Sequence, residues 1–249
     1  AMTIRSPQTY NNIIVTGTDV SNSSGNYTLN NGASFTINSG AKYSVTTREI
    51  GSSGTASLII NGTFFTEDEH GFSGTTNADS VDENTINITL GSSSTIEYGR
   101  SGAQAVSNRD DYANLTVSGN GAKTMTGTPK VSGNYTLNSG NIIYGNSIEF
   151  SGTSTQSIEG DVFGTAQVIL SGGGEKDLTS DASFNGTITF TSGSLDLGNN
   201  DVTLGTSSTV GSANASSYLK INGTGRVFRT ITNGTDYLYP VGENPFLPV

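Results

Sequence analysis

The chain has 249 residues, a net charge of −10, 33 glycines, 5 prolines and neither cysteine nor tryptophan. Glycine, threonine, serine and asparagine together make up half of the chain, while charged residues are only 13%. A disulfide scaffold and a thiolate metal site are therefore excluded. The acidic balance argues against nucleic acid, which calls for a basic stripe, and no apolar run is long enough to span a bilayer as a helix. Low hydrophobicity is also the mark of disorder. Against disorder, ten tyrosines and ten phenylalanines recur at short, regular intervals among Ile, Val and Leu.

Residues Ala1–Arg5 carry neither a charged nor an apolar leader region, and Ala1-Met2 reads as a cloning remnant. Next, Tyr27 and Leu29 open a pattern of apolar residues spaced by two, the strand period. Strand candidates at 57–65 and 85–90 enclose a polar excursion, 66–84, that breaks the rhythm and holds six of the 21 acids. Clustered carboxylates with Asn and Ser oxygens are the ligands a hard cation such as calcium requires, which makes Glu67, Asp68, Glu69, Asp79, Asp82 and Glu83 the metal candidates. The alternative is a solvated loop of mutually repelling charges. His70, the sole histidine, falls in the same loop-like segment and has no nucleophile elbow to serve.

From 95 onward the sequence repeats itself. Thr95-Ile96-Glu97-Tyr98 returns as Ser147-Ile148-Glu149-Phe150, and Gln104-Ala105-Val106 as Gln156-Ser157-Ile158. Leu115 to Gly119 returns as Val168 to Gly172, Lys123-Thr124-Met125 as Lys176-Asp177-Leu178, and Tyr135-Thr136-Leu137 as Ile188-Thr189-Phe190. Gly25 to Asn30 matches Gly133 to Asn138. The units run over about 95–146 and 147–199. Short alternating strands, each followed by Ser-Gly, Asn-Gly or Gly-Asn turns, leave no room for helix.

Such spacing fits a solenoid, a sandwich or a barrel. A repeat favours the solenoid, in which each coil stacks on the one before. The predicted fold is all-β, a parallel β-helix over 1–224, with a β-sandwich as the second choice. One repeat should make two or three coils, with repeat mates such as Leu115 and Val168 as vertical neighbours around a dry axis. Gly, Asn and Ser are expected at corners needing positive φ, and scarce proline suits strands that donate every ladder N–H.

The run 94–106, with 112–119 and Lys123-Thr124-Met125, resembles a repeat of large secreted surface proteins of Bacteroidetes-type bacteria. There the pattern reads approximately Gly-Ala-Gln-x-Val, Tyr-x-Asn-Leu-x-Leu-Ser-Gly, then Lys-x-Leu. Residues 192–204 are similar to its closing portion. The tail from Gly225, with Tyr237-Leu238-Tyr239-Pro240 and Pro248-Val249, resembles the segment that ends such stretches or opens a following domain. The likeness covers 95–249 well and 9–94 loosely. It implies a right-handed β-helix, export to the cell surface and a stalk-like or adhesin-like role, and it supplies no catalytic residues. The expected location is extracellular or cell-surface, and the expected partners are neighbouring domains of the same chain, glycans, or cell and matrix surfaces. Asp79-Ser80-Val81 fits the short O-glycosylation pattern of that group.

Parallel β-helices also host carbohydrate-degrading enzymes, and Asn108-Arg109-Asp110-Asp111-Tyr112 is the local candidate for a ligand site, with Arg109, Asp110, Asp111 and Tyr112 as its members. Hydrolysis needs two carboxylates across a cleft. The competing account is a corner salt bridge with Tyr112 packed on the next coil, and the chain is read as non-catalytic. Thr28, Thr136 and Thr189 stay in register between repeats, the minimum for an ice- or mineral-binding row and the third functional reading.

Overall fold

The structure, a computed structural model, describes residues 2–4, 9–22, 25–74, 79–138, 143–160, 162–164, 166–232, 234, 236–237 and 239–242. Asn77 and Ala78 of the excursion, and the tail 243–249, lie outside the described residues. Every ladder pairs parallel strands, and no helix occurs among the described residues. The chain winds as a parallel β-helix whose first wall is an unbroken sheet of twelve strands, from Met2–Ile4 to Val241–Gly242. Both strands beyond 224, Val227–Arg229 and Val241–Gly242, continue existing ladders.

Two further walls complete the tube. In the N-terminal part they merge, because the 11-residue strand Tyr27–Ile37 bends to pair with both Ile50–Ser52 and Ala56–Ile60. Later they separate. A second wall carries Gln104–Val106, Lys123–Met125 and Ile143–Gly145, then Val162–Phe163 to Val227–Arg229. A third carries Lys130–Val131, Ser147–Phe150, Gln167–Leu170, Thr187–Phe190 and Thr209–Gly211.

Alternation decides what points inward. In Thr95–Tyr98, Ile96 and Tyr98 are fully buried and their neighbours only partly so, and Asn114–Val117 and Thr187–Phe190 repeat the pattern. Aromatic rings stack along the axis: Tyr10, Tyr27, Phe35, Tyr43, Phe64 and Phe72 lie 4.9–6.1 Å apart in succession. Tyr135, Phe150, Phe163 and Phe184 continue the core at 4.9–6.4 Å. Each such pair contributes about 0.5–1.5 kcal/mol beyond its burial.

Repeat mates do not stack. Leu115 pairs with Ile96 and Tyr135 on the first wall, while Val168 pairs with Ile148 and Ile188 on the third. Gln104 and Lys123 stand on the second wall, their mates Gln156 and Lys176 on the first. The cause is a mismatch of periods. One coil carries the chain from Leu115 to Tyr135, and another carries it from Val168 to Ile188. The repeat, which carries it from Leu115 to Val168, is therefore two coils and two thirds, and each unit starts two walls further round. Thr28, Thr136 and Thr189 consequently lie in three different sheets and form no common row.

The corners bear out a second expectation for glycine, with positive φ at ten of the described glycines, and correct it for asparagine. Among the described non-glycine residues only Thr46 and Ser212 have positive φ. Asparagine serves differently: its side-chain oxygen accepts the N–H of a residue one coil on, as Asn108 does from Thr128 at 2.9 Å, Asn114 from Asn134 at 2.9 Å and Asn134 from Ser157 at 3.1 Å. The corner N–H that no ladder reaches is thereby satisfied. Glycine is needed where coils touch: a Cβ on Gly121 would lie 1.8 Å from the Gly102 carbonyl oxygen.

The motif glutamines and lysines close the remaining gaps. Lys176 is fully buried, and its Nζ donates to the carbonyls of Gly152 (2.8 Å), Ser171 (2.8 Å) and Gly174 (2.7 Å). Lys123 does the same with Arg100, Gly119 and Gly121. Desolvation pulls both ammonium groups down to about 8, against carbonyls that only a charged, three-donor group satisfies together. One coil earlier, Gln156 accepts from the Gly152 N–H and donates to the Val131 carbonyl.

The described residues of 66–84 do not leave the tube as a loop. Ser73 and Val81 form a parallel bridge, and Val81 bridges Ile50 in turn. The Ile50 N–H reaches the Ser80 carbonyl at 2.9 Å, and the Ala105 N–H reaches Glu69 at 2.8 Å. The chain makes a short detour and lays two extra rungs between Ile50 and the coil of Gln104–Val106. Phe72, Ser80 and Val81 are fully buried, with the Phe72 ring 4.9 Å from Phe64. Apolar Phe72 and Val81 drive this: in a solvated loop both would face water. Ser80, bonded to Thr66 at 2.5 Å, is thus sealed from a glycosylating enzyme.

Replacing Lys176 by Met should orphan three buried carbonyls while keeping the side chain's length. The expected loss is about 2 kcal/mol or more of unfolding free energy, read by urea denaturation. A variant as stable as the parent would show that the carbonyls find other donors.

Candidate functional site

The corner Asn108–Tyr112 follows Gln104–Val106 and leads into Asn114–Val117. Where it faces the inserted rungs the surface opens into a cleft of about 740 Å3, lined by Ser73, Glu83, Asn108, Arg109, Asp110 and Thr128 among others. The structure therefore gathers Glu83, from the proposed metal set, with Arg109, Asp110 and Asp111 from the proposed ligand set.

Arg109 is the organiser. Its Nε and Nη2 take both oxygens of Asp111, at 2.8 and 2.7 Å, and Nη1 reaches Ser73 Oγ at 3.1 Å and Glu83 Oε1. The guanidinium lies 5.7 Å from the centroid of the Phe72 ring, and only 15% of the side chain is exposed. Burial alone would lower its pKa, but the bond to Asp111 and the charges of Asp111 and Glu83 outweigh that and hold it above the ordinary arginine value. A planar fork held from two sides by carboxylates has little freedom left. Neither Asp111 nor Glu83 is free to act as a general base without breaking this pairing.

Tyr112 sits behind the cleft rather than in it. It is fully buried, its hydroxyl donates to the Ser107 carbonyl at 3.0 Å and lies 2.7 Å from the Tyr98 hydroxyl. Tyr98 in turn accepts the Ser107 N–H at 3.1 Å. Ser107 Oγ, for its part, accepts the N–H groups of Phe72 and Ser73, at 3.1 and 3.0 Å, and so docks the inserted rung onto the next coil. No motif marks Ser107 or Ser73 in the sequence, and Tyr98 stands out there only as a repeat position; the register alone brings the three together.

The six acids of 66–84 form no single cluster among the described residues. Asp68 accepts the His70 N–H at 2.9 Å, Glu69 pairs with Arg100 at 3.0 Å, Glu83 with Arg109, and Asp82 caps its own turn through Asn84 and Thr85. Asp79 is buried, and the Glu67 backbone pairs with Thr46. Among the described residues no three of the six bring ligand atoms within 4.8 Å of one another; the trio that does is Glu175, Asp177 and Asp196. That trio lies along the first wall, with Lys220 Nζ at 2.6 Å from Glu175 and 2.9 Å from Asp196. Desolvation, then the neighbouring acids, raises Asp177, and the two carboxylates raise Lys220. Glu49 is equally unmarked in the sequence: desolvation first, then Asp82, Asp68 and Asp79, push its pKa up.

The buried phenols set a pH limit. Tyr27, Tyr43, Tyr98 and Tyr112 are all raised above the usual phenol value, chiefly by desolvation. A group whose pKa rises on folding contributes its stability in full below the unfolded value and loses it as pH rises beyond. Unfolded phenols ionise near pH ~10, and each unit above costs about 1.4 kcal/mol per phenol that stays neutral. Urea unfolding at pH 9, 10 and 11 should show a shallower fall above pH 10 for Tyr112→Phe than for the parent. Equal slopes would remove Tyr112 from the account.

No protein-family model, curated protein or solved structure matches the chain.

Proposed function

We propose that the chain is a non-catalytic structural module of a larger secreted or cell-surface protein, a shaft that spaces and presents other domains or adhesive groups. One observation carries this reading: the unbroken first wall, in which each of twelve strands is hydrogen-bonded to the next along the whole described chain. In such a stack each coil leans only on its neighbours, length is set by coil number, and backbone groups are withdrawn from proteases. The ring-lined axis and the caged lysines make the tube rigid along its length. The extracellular setting is supported by the resemblance of 95–249 to bacterial surface repeats and by the polar, acidic composition.

A carbohydrate-binding role is the second reading, favoured by the cleft at Arg109. A degrading role has less support, because the two carboxylates beside Arg109 are both engaged by it.

The shaft reading is tested by deleting one coil, residues 148–167, which brings Val168 into the place of Ile148. The shortened chain should fold, resist protease like the parent, and be shorter by about 4.8 Å in solution scattering. Deleting half a coil should abolish folding. Parent and shortened chain should release no reducing ends from neutral or acidic polysaccharides. Release that disappears in Asp111→Asn would overturn the non-catalytic assignment.

A further inference from the structure

We infer that the cleft beside Arg109 is a binding site for a neutral hexose unit of a glycan. This rests on the carbohydrate-binding reading above, which it narrows, and does not depend on the shaft reading.

The size suits such a ligand: about 740 Å3 falls within the range of small-molecule sites. The lining decides the class. Ser73, Glu83, Asn108, Arg109, Asp110 and Thr128 are all polar, so an apolar ligand has no surface to cover. Glu83, Asp110 and Asp111 outnumber the single arginine, whose charge is already matched by Glu83 and Asp111, so an anionic ligand meets net repulsion. What remains in demand is a ligand rich in hydroxyl donors.

Three groups at the rim are unspent. The Asp110 carboxylate, the Asn108 Nδ2 and the Thr128 Oγ1 have no hydrogen-bond or ion-pair partner among the described residues, although each belongs to a residue lining the cleft. Asn108 is held in place, because its Oδ1 accepts the Thr128 N–H at 2.9 Å. The set therefore offers a charged acceptor, an amide donor and a hydroxyl that does both. Vicinal sugar hydroxyls, each donor and acceptor at once, match that set. The floor beneath is the guanidinium pinned by Asp111, Glu83 and Ser73, so little side-chain entropy is lost on binding.

The experiment titrates the isotope-labelled chain separately with mannose, galactose, N-acetylglucosamine, glucuronate and calcium chloride, following the amide signals of Asn108, Asp110, Gly127 and Thr128. At least one of the three neutral sugars should shift these signals saturably. Glucuronate should bind at least tenfold more weakly than that sugar. Asp110→Asn and Thr128→Val, which leave the Arg109 pairing intact, should each weaken binding at least fivefold, with melting temperature and urea midpoint as checks that the coil is preserved. Silence toward all three neutral sugars would overturn the inference. So would equal or tighter binding of glucuronate, affinity unchanged in both variants, or a response to calcium with none to sugar. Polysaccharide turnover would instead strike the non-catalytic assignment and leave sugar binding standing, so the two failures are distinguishable.

Discussion

Coil-to-coil hydrogen bonding is the constraint from which the rest follows. Each coil has to present its N–H and C=O groups to the next at a spacing of about 4.8 Å, and the corners must pass at nearly the same distance although no ladder holds them. Large side chains do not fit there. The Gly102 carbonyl lies where a Cβ on Gly121 would be, and the Ser154 carbonyl would be 2.1 Å from one on Gly174. Stacked glycines leave stacked carbonyls, and buried carbonyls need donors. The caged ammonium groups of Lys123 and Lys176 answer that need. An apparent oddity, a fully buried lysine in a thin apolar core, is thus the consequence of winding a backbone tightly around a corner.

The sequence repeat obeys this grammar without matching the coil. A unit that spans two coils and two thirds rotates by two walls at each recurrence, so Gln104 and Gln156 do the same work on different sides. Three units would return a motif to its starting wall. Side chains repeated in sequence are therefore distributed around the β-helix, which suits contact with neighbours on several sides better than recognition of one long flat surface. The separation of Thr28, Thr136 and Thr189 onto three sheets is a direct case.

Much of the fold was legible because its signal is local and periodic. Apolar residues spaced by two at Leu115 and Val117, or Ile188 and Phe190, announce strands, and their recurrence announces stacking. Phase was not legible: similarity shows that Leu115 and Val168 play like parts, but only coil length says on which wall. Corner asparagines read as turn formers, whereas their oxygens reach a partner one full coil further along the chain, which turn chemistry does not reveal. The segment 66–84 misleads for a related reason. Its polarity outweighs Phe72 and Val81, two apolar residues too few to make a period yet enough to anchor a rung. At the candidate site, Arg109 and its flanking acids are visible as a string. Glu83, Ser73 and Thr128 are not, since they arrive through register.

The place of the cleft also has a physical cause. A regular parallel wall is close to flat across its strands, because successive coils superimpose and side chains stand in columns. Concavity needs a break in that superposition. The two rungs laid down by 66–84 provide one: they lengthen the second wall between Ile50 and Ala105, while on the first wall Thr63–Thr66 pairs directly with Thr95–Tyr98. The surplus sets Ser73 and Glu83 beside the corner at Asn108, and a charged network centred on Arg109 ties the two edges together. Arginine suits this post because one planar group can bridge both edges and Phe72 beneath them, where lysine would hold only one. Stability and the proposed recognition are then joined at a single residue: the arginine whose salt bridges repair an interruption in the winding also lines the cleft.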